Sequence, residues 1–418
     1  MYNKLTLPNG VRIVYETIPY VRSASVGIWV NTGSRDEAPN ENGAAHFIEH
    51  MVFKGTETRS AQELALTMDR MGGQVNAFTT KEHTCFHGRV LDTQIRQLGD
   101  VLCDMLLSSK FDENDVNNER NVIIEEIGMY EDTPDDLVTE NLFAECFRGS
   151  SLARPVLGTP DTLGDMDGRF LKNYMRDHYT GNRIIVAMSG NVSEADIEYY
   201  AGKLKNVPAG DKTGRARASY IPGVSVKEKP TEQNHLVLAF PGIPVADDRR
   251  FTAQLLSGIF GGEMSSRLFQ SVREDNGLCY SIFSFGSTYE DTGLFGIYTA
   301  LSRETERPAL ELICDEIKKL KKYGVTRDEL ERAREQVKAN LLMSLESTNA
   351  RMNRLGYNEL YFDRYRTVDE TIAAYDRVTA EDIAGMAETV FDFGRVSFSA
   401  VGKVDDPGGY KGLLGRLL

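Results

Sequence analysis

The chain has 418 residues, a hydrophobic fraction of 41% and a formal net charge of −14. That length suits two domains of roughly 200 residues each, with enough apolar content for sizeable cores. The acidic balance, without any Lys/Arg block, argues against a nucleic-acid partner, and no apolar run is long enough to span a membrane.

The first elements read as strands. Leu5–Leu7 leads through a Pro8-Asn9-Gly10 turn into alternating Val11–Glu16, and Ser23–Asn31 is a second β-like run. Glu41–Phe53 and Ala61–Met71 read as helices. Gly72-Gly73 breaks the chain before the strand-like segments Gln74–Thr79 and His83–Val90. Helical patterns follow at Asp92–Ser108, Glu113–Tyr130 and Pro134–Cys146, and the apolar strand Arg183–Val192 closes the first half.

Turn-rich residues 206–230 read as a linker. The boundaries expected are a domain over 1–212, a linker over 213–230 and a second domain over 231–418. The second half repeats the first. A strand over His235–Phe240 and a helix over Phe251–Phe260 precede strands at Cys279–Phe285 and Gly293–Ala300. Leu102-Cys103-Asp104 is echoed by Ile313-Cys314-Asp315, each followed by a long charged helix, the second being Arg327–Ser344. Two copies of one α+β unit is the economical reading.

The five cysteines, Cys85, Cys103, Cys146, Cys279 and Cys314, show no Cys-x-x-Cys spacing, which speaks against a disulfide framework or a thiolate metal site. The N-terminus runs straight into a strand with no signal or transit pattern. A cytoplasmic protein is expected, or the mature form of something processed.

The segment Ala44-Ala45-His46-Phe47-Ile48-Glu49-His50-Met51-Val52-Phe53 is the most informative. Its apolar members cover nearly the whole helix surface, so it should be buried, yet it carries His46, Glu49 and His50. Burying them unpartnered would cost several kcal/mol, so something must satisfy them. Spaced four apart, His46 and His50 emerge from one face and suit a single tetrahedral ion. Glu49 flanks that face and can hold a water and accept its proton. The bland alternative is a pair of core histidines bonded to backbone.

A catalytic zinc takes three protein ligands and keeps an open position. On the helix Glu113–Tyr130, Val116, Ile123, Ile127 and Tyr130 share one face. Glu119 and Glu126, seven apart, fall within about 20° of each other on that face. Glu125 points away. Glu126 as ligand and Glu119 as its supporting carboxylate is one reading; pairing of both with a buried Arg or Lys is the other. In the second half Ala333 and Asn340 stand opposite Glu119 and Glu126, and no His-x-x-Glu-His occurs.

These residues carry a resemblance. His46-Phe47-Ile48-Glu49-His50-Met51, Phe53-Lys54-Gly55-Thr56 and Glu119-Arg120-Asn121-Val122-Ile123 with Glu126 after it resemble the M16 metallopeptidases, the pitrilysin or inverzincin family. The branch is that of the mitochondrial processing peptidases and their bacterial relatives, and the likeness covers essentially the whole chain. It implies an α+β fold of two homologous α/β-sandwich domains, mostly antiparallel sheets with helices packed on one face. It implies one Zn2+ per chain on His46, His50 and Glu126, Glu49 as general base and Glu119 as a supporting carboxylate. Asn76-Ala77-Phe78-Thr79 resembles the family's substrate-binding edge strand. Arg273 and Tyr280 resemble its Arg/Tyr element, which contacts substrate or the developing oxyanion. The implied activity is endopeptidase action on peptides or unfolded segments within a chamber formed by a homodimer, with no membrane partner. A non-catalytic structural subunit of the same fold is the alternative.

Overall fold

The alternation of apolar residues read from the sequence builds two sheets. The computed structural model describes residues 2–211 and 214–417; Met1 and Leu418 lie outside them, as do Lys212 and Thr213, on which the expected domain boundary falls. In the first sheet, β1 (Tyr2–Thr6), β2 (Arg12–Thr17), β3 (Ser23–Val30), β4 (Gln74–Thr79), β5 (Thr84–Leu91) and β6 (Ile184–Gly190) run in the order β1-β2-β6-β3-β5-β4. Only the β2–β6 pair is parallel. In the second, β7 (Val224–Glu228), β8 (Asn234–Pro241), β9 (Cys279–Thr288), β10 (Gly293–Leu301) and β11 (Ser397–Gly402) run in the order β7-β11-β8-β10-β9, with only β7–β11 parallel.

The chain forms two compact units. The first comprises Met1–Ile127, Arg154–Ala216 and Leu342–Tyr365; the second comprises Gly128–Ala153, Arg217–Leu341 and Arg366–Leu418. The short segments explain how each sheet is covered. All of β6 is buried, which requires an apolar layer on both faces. On one face of the first sheet Ile28, Phe86, Val186 and Met188 pack into a core shared with the helices Ala44–Met51, Ile95–Ser108 and Gly168–His178. On the other, Trp29, Ile185 and Ala187 meet Met352 and Leu355 of the helix Thr348–Phe362. Contact there is close: a Cβ on Gly356 would lie 2.4 Å from the Trp29 indole. In the second unit the helix Pro134–Cys146 plays the same part against Val237, Ala239 and Val401.

Two readings are corrected. The helix expected over Glu41–Phe53 spans only Ala44–Met51, because Gly43 adopts φ 99° and Pro39–Glu41 forms its own short turn. Tyr130, read on the apolar stripe of its helix, is 47% exposed; the helix Glu113–Asp132 runs past Ile127, where the first segment of the first unit ends. Among the described residues, no helix is long and apolar enough to cross a membrane, and the five cysteines are free thiols.

Candidate metal centre

The helix Ala44–Met51 packs against β4 and β5 and contributes Ala44, Ala45, Phe47, Ile48 and Met51, all buried, to the first unit's core. Gly43 offers no side-chain cap, so the helix start is satisfied from elsewhere. Glu37 Oε1 accepts from Ala45 N (2.9 Å), while Oε2 accepts from Gly43 N (2.8 Å) and Asn42 Nδ2 (3.0 Å). Burial pushes the Glu37 carboxyl up to about 7 against the pull of these donors. Glu37 escaped the sequence reading because its reach back over a turn has no standard cap spacing.

One helical turn separates His46 from His50, and their rings lie 4.7 Å apart. Glu126, from the helix Glu113–Asp132, places Oε2 3.7 Å from His46 Nε2 and 3.5 Å from His50 Nε2. Ligands about 2.1 Å from a tetrahedral ion stand about 3.4 Å from one another. The two separations therefore fit one shared ion, and each residue offers a ligand atom within 4.8 Å of the others. No other such group of His, Cys, Asp or Glu occurs among the described residues.

The electrostatics suit a cation. Burial and the neighbouring His50 push the His46 imidazole down to about 4, leaving it neutral with a lone pair free. Burial alone would lower His50, but hydrogen bonds and charge from Glu126 and Glu119 outweigh it and raise it. The bond with His50 holds Glu126 below the usual carboxylate range. His50 Nδ1 lies 3.0 Å from Glu119 Oε1, and Lys54 Nζ lies 2.6 Å from Glu119 Oε2. The alternative read from sequence had both Glu119 and Glu126 paired with a buried Arg or Lys; only Glu119 meets a lysine, and Lys54 is 37% exposed, while Glu126 faces the two imidazoles. Lys54 was quoted in its motif without a role.

Glu49 Oε2 is buried without a hydrogen-bond partner among the described residues. Burial raises the Glu49 carboxyl, opposed by a hydrogen bond with the Thr79 side chain. That contact ties Glu49 to β4. Asn76, Ala77, Phe78 and Thr79 all lie on β4, the edge of the first sheet, and Ala77 N–H donates to Asn76 Oδ1 at 2.9 Å.

Arg273 and Tyr280 belong to the second unit, and the His/Glu group to the first. The Arg273 guanidinium sits 4.5 Å from the Phe269 ring centroid and 4.9 Å from that of Tyr280. Phe269 and Arg273 share the wide π-type turn Phe269–Glu274, and Tyr280, the second residue of β9, has 76% of its surface exposed. Phe269 was not singled out by sequence, because an aromatic four residues from an arginine is unremarkable without the turn that stacks them.

Comparison with known structures supports the architecture. A protease from Helicobacter pylori superposes with a TM-score of 0.89, covering 96% of this chain and 99% of that one at 19% identity. A Pseudomonas fluorescens structure described as a peptidase M16 inactive domain also gives 0.89, covering 97% and 98% at 19% identity. At that identity the likeness concerns the fold: two units, each a mixed, mostly antiparallel sheet with helices.

The sequence families narrow this further. Residues 12–160 match insulinase (peptidase family M16), and residues 167–337 match the peptidase M16 inactive domain. An uncharacterized zinc protease of Bacillus subtilis is 44% identical over 94% of this chain and 96% of its own length. An uncharacterized zinc protease of Streptomyces coelicolor is 40% identical, covering 96% and 90%. The chain belongs to peptidase family M16.

Proposed function

We propose that the protein is a zinc-dependent endopeptidase whose metal is held by His46, His50 and Glu126, one ion per chain. The observation that carries this is the convergence of two imidazole Nε2 atoms and one carboxylate oxygen, with the buried Glu49 Oε2 left without a hydrogen-bond partner among the described residues. The relatives described as zinc proteases support it. Zinc fits the nitrogen and oxygen donors, and when bound it supplies Lewis acidity that lowers the pKa of water towards about 7.

The chain's own groups do the rest. Glu49, raised by burial, takes the proton of the attacking water and passes it to the leaving amine. The edge strand Asn76–Thr79 pairs with an extended substrate through main-chain hydrogen bonds. Tyr280 donates to the developing oxyanion, and Arg273 offers its in-plane N–H groups to substrate oxygens. The substrates are peptides or unfolded segments. The active form is a homodimer forming a chamber, supported by the chain carrying one His/Glu group and one Arg/Tyr pair. A cytoplasmic location completes the reading, and the free thiols support it.

The test is zinc content measured together with peptide digestion. Wild type binds about one zinc per chain and cleaves; His50→Ala loses both. Cleavage that persists in zinc-free His50→Ala overturns the reading.

A further inference from the structure

Lys54 lies in the Phe53-Lys54-Gly55-Thr56 stretch that the sequence singles out and the mechanism above leaves unused. It follows the histidine helix in a tight turn, with Phe53 N–H donating to His50 O and Lys54 N–H to Met51 O. Its ammonium takes one oxygen of Glu119 at 2.6 Å, while the other oxygen faces His50 Nδ1 at 3.0 Å. Glu119 is thus gripped at both ends of its carboxylate.

We infer that Lys54 is a positioning residue for the metal centre. It holds Glu119 in the rotamer that accepts the His50 Nδ1 proton, and so turns the His50 Nε2 lone pair towards a divalent ion. A glutamate's terminal torsion is broad, and one hydrogen bond leaves it free to rock; a second partner removes that freedom. The Glu119 side chain is only 8% exposed, so little water can replace the ammonium. Charge fits as well. Glu49, Glu119 and Glu126 carry three formal negative charges against one positive on Lys54, leaving two for a divalent cation to balance.

An opposing effect has to be weighed, because Lys54 also repels the ion. Its side chain is 37% exposed, so solvent and salt screen that repulsion to a factor of about two or three. Losing the outer partner of a ligating histidine weakens metal binding about 10- to 100-fold. The positioning effect wins.

This inference rests on the metal-centre reading, and a double-mutant cycle on the zinc dissociation constant separates the two. Chelator competition is run on wild type, Lys54→Met, Lys54→Arg, Glu119→Ala and the Lys54→Met/Glu119→Ala double variant. Lys54→Met weakens zinc about tenfold, while Lys54→Arg stays within about threefold of wild type. In the Glu119→Ala background Lys54→Met no longer weakens zinc, and tightens it by at most about threefold as the repulsion is lifted. The melting temperature of the metal-free protein stays unchanged in Lys54→Met, which excludes general unfolding as the cause. Unchanged or tighter zinc in Lys54→Met, or effects that simply multiply in the double variant, overturn the inference. Failure of wild type to bind zinc, or zinc that survives His50→Ala, defeats the metal-centre reading itself.

Discussion

Between β3 and the edge strand β4, the first unit places the helix Ala44–Met51, which buries His46 among alanine, phenylalanine and isoleucine. At the same point of the second unit, between β8 and the edge strand β9, the helix Arg250–Ser257 buries Phe251, Thr252, Leu255 and Leu256. The long helices differ in the same way: Glu119 is buried in one, Ala333 in the other. Without β1, the two sheets match in strand order and in which pair is parallel. Apolar alternation therefore suffices for the architecture. The chemistry comes from a few polar groups set into an apolar layer, whose burial penalty a bound ion can offset.

The sharpest way to break that comparison is Glu49→Gln. It keeps the shape and loses the base, so kcat/KM for a peptide falls about a thousandfold or more with zinc content unchanged. Undiminished turnover refutes the assignment. Glu126→Gln loses zinc as well, whereas Asn340→Ala, at the matching and exposed position of the second unit, changes neither. Full zinc occupancy in Glu126→Gln rejects it as a ligand.

Zinc removal should also act on one unit only. A ligand at about a thousand times its Kd stabilises the state that binds it by about 4 kcal/mol. Chelation therefore loosens hydrogen-exchange protection in Ala44–Met51 and in the first part of Glu113–Asp132, and leaves β8, β10 and β11 unchanged. Equal loss in both sheets contradicts the assignment of the metal to the first unit alone.

Acid titration separates the units by sign. Glu37 rises from its ordinary 4.5 to about 7, chiefly by burial. Its contribution to stability is fully present below pH 4.5 and fades as pH rises to 7, worth about 3 kcal/mol. In the second unit, burial acts to raise Glu329, but Arg267 at 2.7 Å and the Thr326 N–H outweigh it and hold it at about 2. Its contribution is present above pH 4.5 and lost as pH falls to 2; allowing for 16% side-chain exposure, it is worth about 2 kcal/mol. Denaturant unfolding of the chelated protein across pH should show Glu37→Gln flattening the slope between pH 4.5 and 7, and Glu329→Gln flattening it below 4.5. Identical slopes in wild type and variant would discard the corresponding assignment.

How much of this the sequence disclosed depends on whether the signal is local. β4 spans Gln74–Thr79 and the helix Arg327–Ser344 keeps its expected bounds, because glycines or turn residues mark their ends. The facing of Glu119 and the exposure of Glu125 followed from helical period alone. The helix Thr348–Phe362 was not read, and the helix Pro134–Cys146 was read without its sheet. Periodicity shows that a helix has an apolar face, never which sheet receives it. Glu37 and Phe269 stayed hidden for a related reason: their partners are chosen by a turn that compresses the chain, not by spacing.

The smallest effect is the one that tests which chemistry Arg273 supplies in the second unit. Phe269 and Tyr280 both lie against the Arg273 guanidinium, whose N–H donors lie in its plane. Each exposed cation–π contact is worth about 0.5–1 kcal/mol. Phe269→Leu removes one of them and lets the guanidinium tilt, while the proposed oxyanion donor Tyr280 stays in place. The expected outcome is a KM for peptide raised about two- to fivefold with kcat nearly unchanged, since orientation of a binding group is lost rather than a transition-state contact. Tyr280→Phe gives the opposite split, lowering kcat because the phenol hydrogen bond goes while the ring remains. Should Phe269→Leu lower kcat and leave KM alone, Arg273 would be serving the reacting carbonyl beside Tyr280 rather than orienting the bound peptide.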